Sequence, residues 1–387
     1  DKLSVEERIE RITDIFSTFR NPDKETVLTP WRVVNMHLGD CLGGYNFYEK
    51  GYDTTLSEPR FIDHGEVTAN VFTEDSHILE INSKSGLYPL YMAYSIYRTR
   101  VKNSLFSVTN IEEEQRIWDK VVAENIFVIC KTPMAKSITK RTLIGFRKAK
   151  VNTRYFEDLI NQIKNKPEHF IKQVDKFVSE RTGIKNMKNM KFNAIVGNPP
   201  YQVMNDGAGA SASPVYNFFV DISKRLSPKH MSLIMPARWF AGGRGVDEFR
   251  KTMLADKQLS LIHDYFDARA CFSNVEIKGG IMYFRWDKGY YGNCHVVSHT
   301  PNGTVSIADR PLVMTGMDSF IRHNEAVSIV EKVRKKTMAT FDSIVSSRDP
   351  FGLDIEGFII ILVNGWVETV CIKSYNLCKK LPGPVDG

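Results

Sequence analysis

The stretch Lys191-Phe192-Asn193-Ala194-Ile195-Val196-Gly197-Asn198-Pro199-Pro200-Tyr201-Gln202 decides how the rest of the chain is read. From Phe192 to Val196 it is mostly apolar, with β-branched and aromatic members. A glycine closes it after too few residues for a free-standing helix, so the pattern predicts a buried strand. Beyond Gly197 the chain can extend neither strand nor helix. Pro199 and Pro200 fix φ, remove two N–H donors and restrict the residue before each, which holds Asn198 and Tyr201 stiffly at the strand's end.

A corner of this kind presents the Asn198 side-chain oxygen and a carbonyl of the proline segment as a preorganised pair of acceptors. Such a pair suits a planar exocyclic amine whose lone pair is conjugated into a ring. Taking both N–H hydrogens pulls the nitrogen toward tetrahedral geometry and frees the lone pair to attack. Tyr201 adds a ring on which a base can stack, worth roughly 1–3 kcal/mol. An isolated Asn-Pro-Pro-Tyr is equally a loop after a strand, so the surroundings decide.

Two strand-turn-helix units precede the corner. His77-Ile-Leu-Glu80-Ile-Asn82-Ser83-Lys84-Ser85-Gly86-Leu87-Tyr88 reads as a strand entering a small-residue turn and a helix through Tyr97, and Asn125 to Ala135 repeats the pattern with Cys130 at the strand's end. The stretch 158–184 reads as helix. This alternation predicts an α/β fold with a mostly parallel sheet and helices on both faces. Upstream, residues 1–20 carry Val5, Ile9, Ile12, Ile15, Phe16 and Phe19 at helical spacing, and Thr29-Pro30 reads as an N-cap followed by the first helical position. Residues 39–75 show no clean period and read as irregular. Downstream, Met231 to Phe240, Leu261 to Phe266 and Gly280 to Trp286 read as strands, the last two as a pair. Asn302-Gly303 marks a hairpin, and Ser319 to Lys336 a helix capped by Asp318.

Taken together, these segments resemble the N6-adenine-specific DNA methyltransferases of the gamma arrangement, the methylase part of restriction-modification enzymes, from about Thr26 to about Trp286. The resemblance implies a Rossmann-like S-adenosylmethionine-dependent fold. It makes Asn198, Pro199, Pro200 and Tyr201 catalytic and sets Tyr201 and Phe272 on either face of a flipped base. It implies contacts to S-adenosylmethionine from Thr29, Pro30, Glu80, Asn82, Ser85, Gly86, Cys130 and Asn198. The chain departs from the family in three places: Ile81 stands where proline is usual, Lys84 where the first glycine is usual, and Cys130 where most members carry an acid for the ribose hydroxyls. A thiol is a poor acceptor, so Cys130 reads equally as a small buried apolar group. Implied domains are an N-terminal helix over 1–25, a methyltransferase core over 26–309, and over 310–387 the start of a truncated target-recognition domain that is β-rich from Phe341.

Length leaves room for one large α/β domain plus part of another, and the charge balance favours a polyanionic partner. The 387 residues are 42% apolar, enough for a sizeable core, and carry a formal net charge of +7, which favours a polyanionic partner; the resemblance implies that this partner is double-stranded DNA. Arg238, Arg244 in its Gly-rich turn, and Lys278 are the expected phosphate contacts. Six cysteines without Cys-x-x-Cys spacing exclude a zinc or disulfide frame and suit the cytoplasm of a bacterial or phage system. His295 and His299, four apart in a strand, share no helical face, so no metal site is expected. The longest apolar run, Phe358 to Val363, is too short to span a bilayer. The chain opens at Asp1 and stops at Gly387, which reads as a segment of a longer polypeptide; the resemblance implies a target-recognition domain in it and leaves open whether a nuclease is fused as well. The small-residue loop 205–214 beside the corner reads as a flap that orders on DNA. Two rival readings remain. Asp264, Asp267, Glu276 and Lys278 have the outline of a metal-dependent nuclease, and the departures at Lys84 and Cys130 leave room for a non-catalytic DNA-binding fragment.

Overall fold

The computed structural model describes residues 3–19, 27–104, 110–183, 192–203, 212–242, 245–273, 275, 277–314, 317 and 319–336, together with the backbone of 358–363 and 366–371. The chain divides into two units, Asp1–Val327 and Ser328–Gly387. In order, the first contains α1 (Val5–Ser17), α2 (Trp31–Cys41), β1 (Gly44–Tyr48), β2 (Thr55–Ile62), α3 (Glu66–Val71), β3 (Ile78–Ser83), α4 (Leu87–Asn103), α5 (Ile111–Glu124), β4 (Ile126–Cys130), α6 (Pro133–Ile144) and β5 (Asn152–Tyr155). It continues with α7 (Leu159–Asn165), α8 (Pro167–Thr182), β6 (Ala194–Gly197), the short pair β7 (Gln202–Val203) and β8 (Ser213–Pro214), α9 (Tyr216–Arg225), β9 (His230–Pro236), α10 (Asp247–Ala255), β10 (Leu259–Tyr265), β11 (Ile281–Asp287), β12 (Cys294–His299) and β13 (Val305–Arg310). Helix α11 (Asn324–Lys336) crosses the division, and the second unit holds an antiparallel pair, Phe358–Val363 with Trp366–Cys371.

A nine-stranded sheet of order β13-β12-β10-β11-β9-β6-β3-β4-β5 forms the centre of the first unit. Strands β3, β4, β5, β6 and β9 pair in parallel; β11 runs against β9 and β10, and β13 against β12. The predicted mostly parallel α/β sheet is thus present. Side chains alternate across it with the period of two that strands impose. Ile126, Val128 and Cys130 face a core shared with Val33, Tyr91 and Trp118, while Phe127 and Ile129 face one built from Phe170, Phe177 and Phe219. Being covered on both faces explains why β4 and β6 are apolar throughout.

From β3 the chain steps outward to β4 and β5, then crosses back to lay β6 on the other side of β3. This reversal is the switch point of an open sheet, where a crevice opens beyond the carboxyl ends of the two central strands. Those ends are Ser83 of β3 and Gly197 of β6.

Several local expectations change. Residues 39–75 are ordered as β1, β2 and α3, the first two paired antiparallel with a bulge that blurs the alternation. The helix expected over 158–184 is two, broken where Pro167 starts α8. Helix α11 begins at Asn324 rather than Ser319, because the Asn324 side chain donates to the carbonyls of Val296 and Ser306 and accepts from Arg310, anchoring the chain before the helix starts. Helix α2 starts at Trp31 with Pro30, not Thr29, in the cap position. The Thr29 hydroxyl is engaged elsewhere.

Candidate functional site

Three segments converge on the carboxyl ends of β3 and β6. The first is the corner itself. Gly197 has φ of 149°, and a Cβ placed there would lie 3.3 Å from Glu80 Cγ. The positive φ favours glycine, and a side chain there would also press on that of Glu80. Beyond it Asn198 is buried, with Nδ2 donating to Thr29 Oγ1 at 3.0 Å and Oδ1 left without a hydrogen-bond partner. Tyr201 packs on the same apolar cluster as the buried Phe272, and its hydroxyl is also buried and unpaired.

The second segment is the β3–α4 turn. The strand does not end at the acid: it runs on to Ser83 through Asn82, whose φ is 75°, with an irregularity in register between Ile81 and Ser83. Asn82 Nδ2 donates to the Asn198 carbonyl at 3.5 Å, tying the two strand ends together, and its Oδ1 is free of partners. Glu80 is buried with Oε2 unpaired. Burial raises its pKa from 4.5 to about 7, against the smaller opposing effects of Ser83 and Lys84. Gly86 has φ of 80° and packs so closely on α6 that a Cβ would meet Thr139 Cα at 3.1 Å. Ser85 is buried, and its carbonyl accepts from Thr142 at 2.5 Å.

The third segment is 27–32. Lys84, which replaces a usual glycine of the turn, sends its ammonium to the Val27 carbonyl at 2.9 Å. It therefore fastens this segment to the turn. Thr29 and Pro30, with Ser85 and Phe272, line a cavity of about 1030 Å³ whose far wall carries Glu6, Glu10 and Asp14 of α1. That is the upper end of the volumes of small-molecule sites.

The other end of the crevice differs. Cys130 closes β4 fully buried, its thiol 3.9 Å from Thr139 Oγ1. Burial first, and the charge of Glu80 second, push the thiol pKa up to about 12, so it stays protonated and offers no strong acceptor.

Of the residues singled out in the sequence, Glu80, Asn82, Asn198 and Thr29 are joined through Gly197 and the hydrogen bonds above, Thr29, Pro30, Ser85 and Phe272 line the cavity, and Tyr201 packs on the cluster that holds Phe272. Arg238 and Lys278 are exposed and sit elsewhere, near each other, since a Cβ on Gly279 would come within 3.3 Å of Arg238 Cα. Arg244 and Glu276, and positions 205–211 of the expected flap, lie outside the described residues. The described carboxylates of the nuclease outline are engaged in ion pairs. Asp264 is wholly buried and receives two bonds from Arg322, while Asp267 is held by its neighbour Arg269. Asp264 is thereby withdrawn from solvent, whereas Asp267 stays at the surface; among the described residues no group of three His, Cys, Asp or Glu is arranged to hold a metal ion. Sequence reasoning missed His37 and Ser232, which are hydrogen-bonded in series to Tyr88, buried at the start of α4. Separations of 51 and 195 positions leave no local signal for such contacts.

Residues 124–272, which include β4, the corner and Phe272, match the Eco57I restriction-modification methylase family. An uncharacterized adenine-specific methylase of Mycoplasma pneumoniae is 39% identical over 112 residues, which is 28% of this chain and 26% of that protein. The chain thus matches about a quarter of that relative's length. A modification subunit of a putative type I restriction enzyme from Vibrio vulnificus superposes with a TM-score of 0.46 at 10% identity, covering 87% of this chain and 60% of the other. A putative class I S-adenosylmethionine-dependent methyltransferase of Listeria monocytogenes gives 0.39 at 9% identity, covering 76% and 73%. No helix among the described residues is long and apolar enough to cross a membrane.

Proposed function

We propose, from the match of residues 124–272 to the Eco57I restriction-modification methylase family, that this chain transfers a methyl group from S-adenosylmethionine to the N6 nitrogen of an adenine in double-stranded DNA. The observation that carries the reading is the buried, unpartnered Oδ1 of Asn198 at the switch point of the sheet. A buried polar atom without a partner costs about 1–3 kcal/mol, and a substrate N–H removes that cost on binding.

The residues present fit the methionine end of the cofactor. Glu80 Oε2 and Asn82 Oδ1 are orphaned acceptors beside the turn, and the Lys84 cation is drawn onto the Val27 carbonyl. Glu80, Asn82, Ser85, Gly86, Thr29 and Pro30 would hold it; Cys130 supplies no acceptor for ribose hydroxyls. When bound, the cofactor supplies an electrophilic methyl carbon. The chain's own part is to present Asn198 Oδ1, with a carbonyl of the proline segment, to the two N6 hydrogens. Tyr201 and Phe272 cover the faces of a base turned out of the duplex, and Arg238 and Lys278 meet phosphates. The amine gains nucleophilicity as its lone pair leaves conjugation, and the proton released after attack is accepted along the same hydrogen bonds on its way to solvent. Membership of a restriction-modification system and the presence of further domains are part of the same proposal.

Transfer of tritiated methyl groups to duplex DNA tests it. Wild-type chain, or a longer form containing it, is expected to label adenine; Asn198→Ala is expected to label none while keeping its thermal midpoint. A folded wild-type protein that binds S-adenosylmethionine and DNA yet labels nothing contradicts the reading. The non-catalytic alternative is favoured by one observation, the capped thiol at Cys130, and calorimetry with S-adenosylmethionine in the presence of DNA separates the two.

A further inference from the structure

The Asn198 carboxamide has its nitrogen on the Thr29 hydroxyl, Nδ2 to Oγ1 at 3.0 Å, and its Oδ1 unpartnered. An amide presents one end to a site when something holds the other. Here the hold is the Thr29 oxygen, so the place of that oxygen decides where Oδ1 is aimed. Threonine is β-branched and stiff at χ1, and its hydroxyl goes where its backbone carries it.

That backbone is fixed from both sides. Downstream, Pro30 stands in the cap position with φ of −60°, and its carbonyl accepts from the Val34 N–H at 3.0 Å, which ties the segment to α2. Upstream, Val27 is buried and its carbonyl accepts from the Lys84 ammonium at 2.9 Å. A charged donor makes a stronger hydrogen bond than a neutral one. Thr29 sits between these two anchors, and a glycine at position 84, usual in the resembled family, has no side chain to supply the second. The same turn reaches the corner again where Asn82 Nδ2 donates to the Asn198 carbonyl at 3.5 Å. Backbone and side chain of Asn198 are thus both tied to the β3–α4 turn, the first directly and the second through residues 27–29.

We infer that Lys84 is a positioning residue for methyl transfer: by holding the Val27 carbonyl it fixes Thr29, and through the Thr29 hydroxyl it aims the Asn198 carboxamide at the substrate amine. The lysine acts through Val27 and Thr29 and not on the reacting atoms. The inference rests on the methyl-transfer reading for its consequence in catalysis, whereas the tether is a property of the resting protein. The departure of this chain from the family pattern at position 84 is on this account a working part of the site.

A double-mutant cycle in the full chain tests it. Lys84→Met keeps the aliphatic stem and drops the donor; Thr29→Val keeps the branched shape and drops the hydroxyl. At saturating S-adenosylmethionine each is expected to lose about tenfold in kcat, the value of one ordinary hydrogen bond. Because both cut the same tether, the double variant is expected to lose about tenfold as well, where independent actions would multiply to about a hundredfold. Lys84→Arg, which keeps a cationic donor, is expected to restore most of kcat. In protein labelled with ¹⁵N-asparagine, the side-chain NH2 signals that vanish in Asn198→Ala are expected to move in the same direction in Lys84→Met as in Thr29→Val. Lys84→Gly gives the same two readings if Lys84→Met does not fold. A merely structural lysine would lower the melting temperature and leave the cycle additive. An additive cycle, an unchanged kcat in Lys84→Met, or Asn198 signals that stay in place in that variant overturns the inference. If the signals move together but the wild type transfers no methyl group, the functional reading fails while the tether stands.

Discussion

The two ends of the crevice over β3 were built by similar sequence patterns, a strand entering a turn and a helix, and they are chemically opposite. At the β3 and β6 end, buried Glu80, Asn82 and Asn198 and half-buried Tyr201 each keep a buried polar atom without a partner. At the β4 end, the Cys130 thiol rests against Thr139 and is sealed. The first end holds unmet hydrogen-bonding capacity that native proteins rarely leave buried unless something binds there. The second is finished core. A site is marked less by which residues it contains than by which of their atoms the fold declines to satisfy.

Four changes test that contrast. The largest effect is expected at the unsatisfied end: Asn198→Ala should lower kcat for methyl transfer by at least ~10²-fold, the range for removing one preorganised group at a reacting centre. A single-turnover assay reads it, and a loss below threefold would remove Asn198 from the chemistry. Next is Glu80→Gln. Between pH 4.5 and 7 the folded wild type holds a proton on Glu80 that the unfolded chain has released, so its stability falls as pH rises through that window. A deficit of about 3 kcal/mol is then fully present above pH 7. Glu80→Gln lacks the deficit and should be more stable than the wild type at pH 8 by up to that amount, with the two converging near pH 4.5. Urea titrations at the two pH values check this; parallel curves at both would mean that Glu80 ionises normally.

Smaller is Lys84→Gly, which restores the residue usual in the resembled family and releases residues 27–30 from the turn. It should cost about 1 kcal/mol of stability and weaken binding of S-adenosylmethionine, measured by calorimetry; tighter binding would show that the lysine obstructs the cleft. The smallest effect is expected at the satisfied end. Cys130→Ala should leave the Kd for S-adenosylmethionine within twofold, and a tenfold loss would make the thiol a ligand and erase the contrast.

Local constraints explain which parts of this molecule could be read in advance. The strand Ala194–Gly197 and its stiff continuation follow from apolar residues bounded by glycine and two prolines, all acting within a few positions. The parallel sheet follows from strand-helix alternation. The hairpin of β1 and β2 was hidden because a bulge breaks its period and its surface is largely exposed. The nuclease outline at Asp264 looked plausible because spacing carries no information about burial; Arg322, 58 positions away, claims the carboxylate.

The amino-acid order by itself determined the corner at Asn198, the glycine turn before α4 and the strand-helix alternation, since φ restriction and periodicity are properties of neighbours along the chain. Tertiary structure alone decided that Glu80 holds its proton to about pH 7, that Lys84 fastens one segment to another, and that Thr29, 169 positions from Asn198, meets its amide. Protonation and hydrogen-bond direction depend on desolvation and on partners, and folding supplies both from distant parts of the chain.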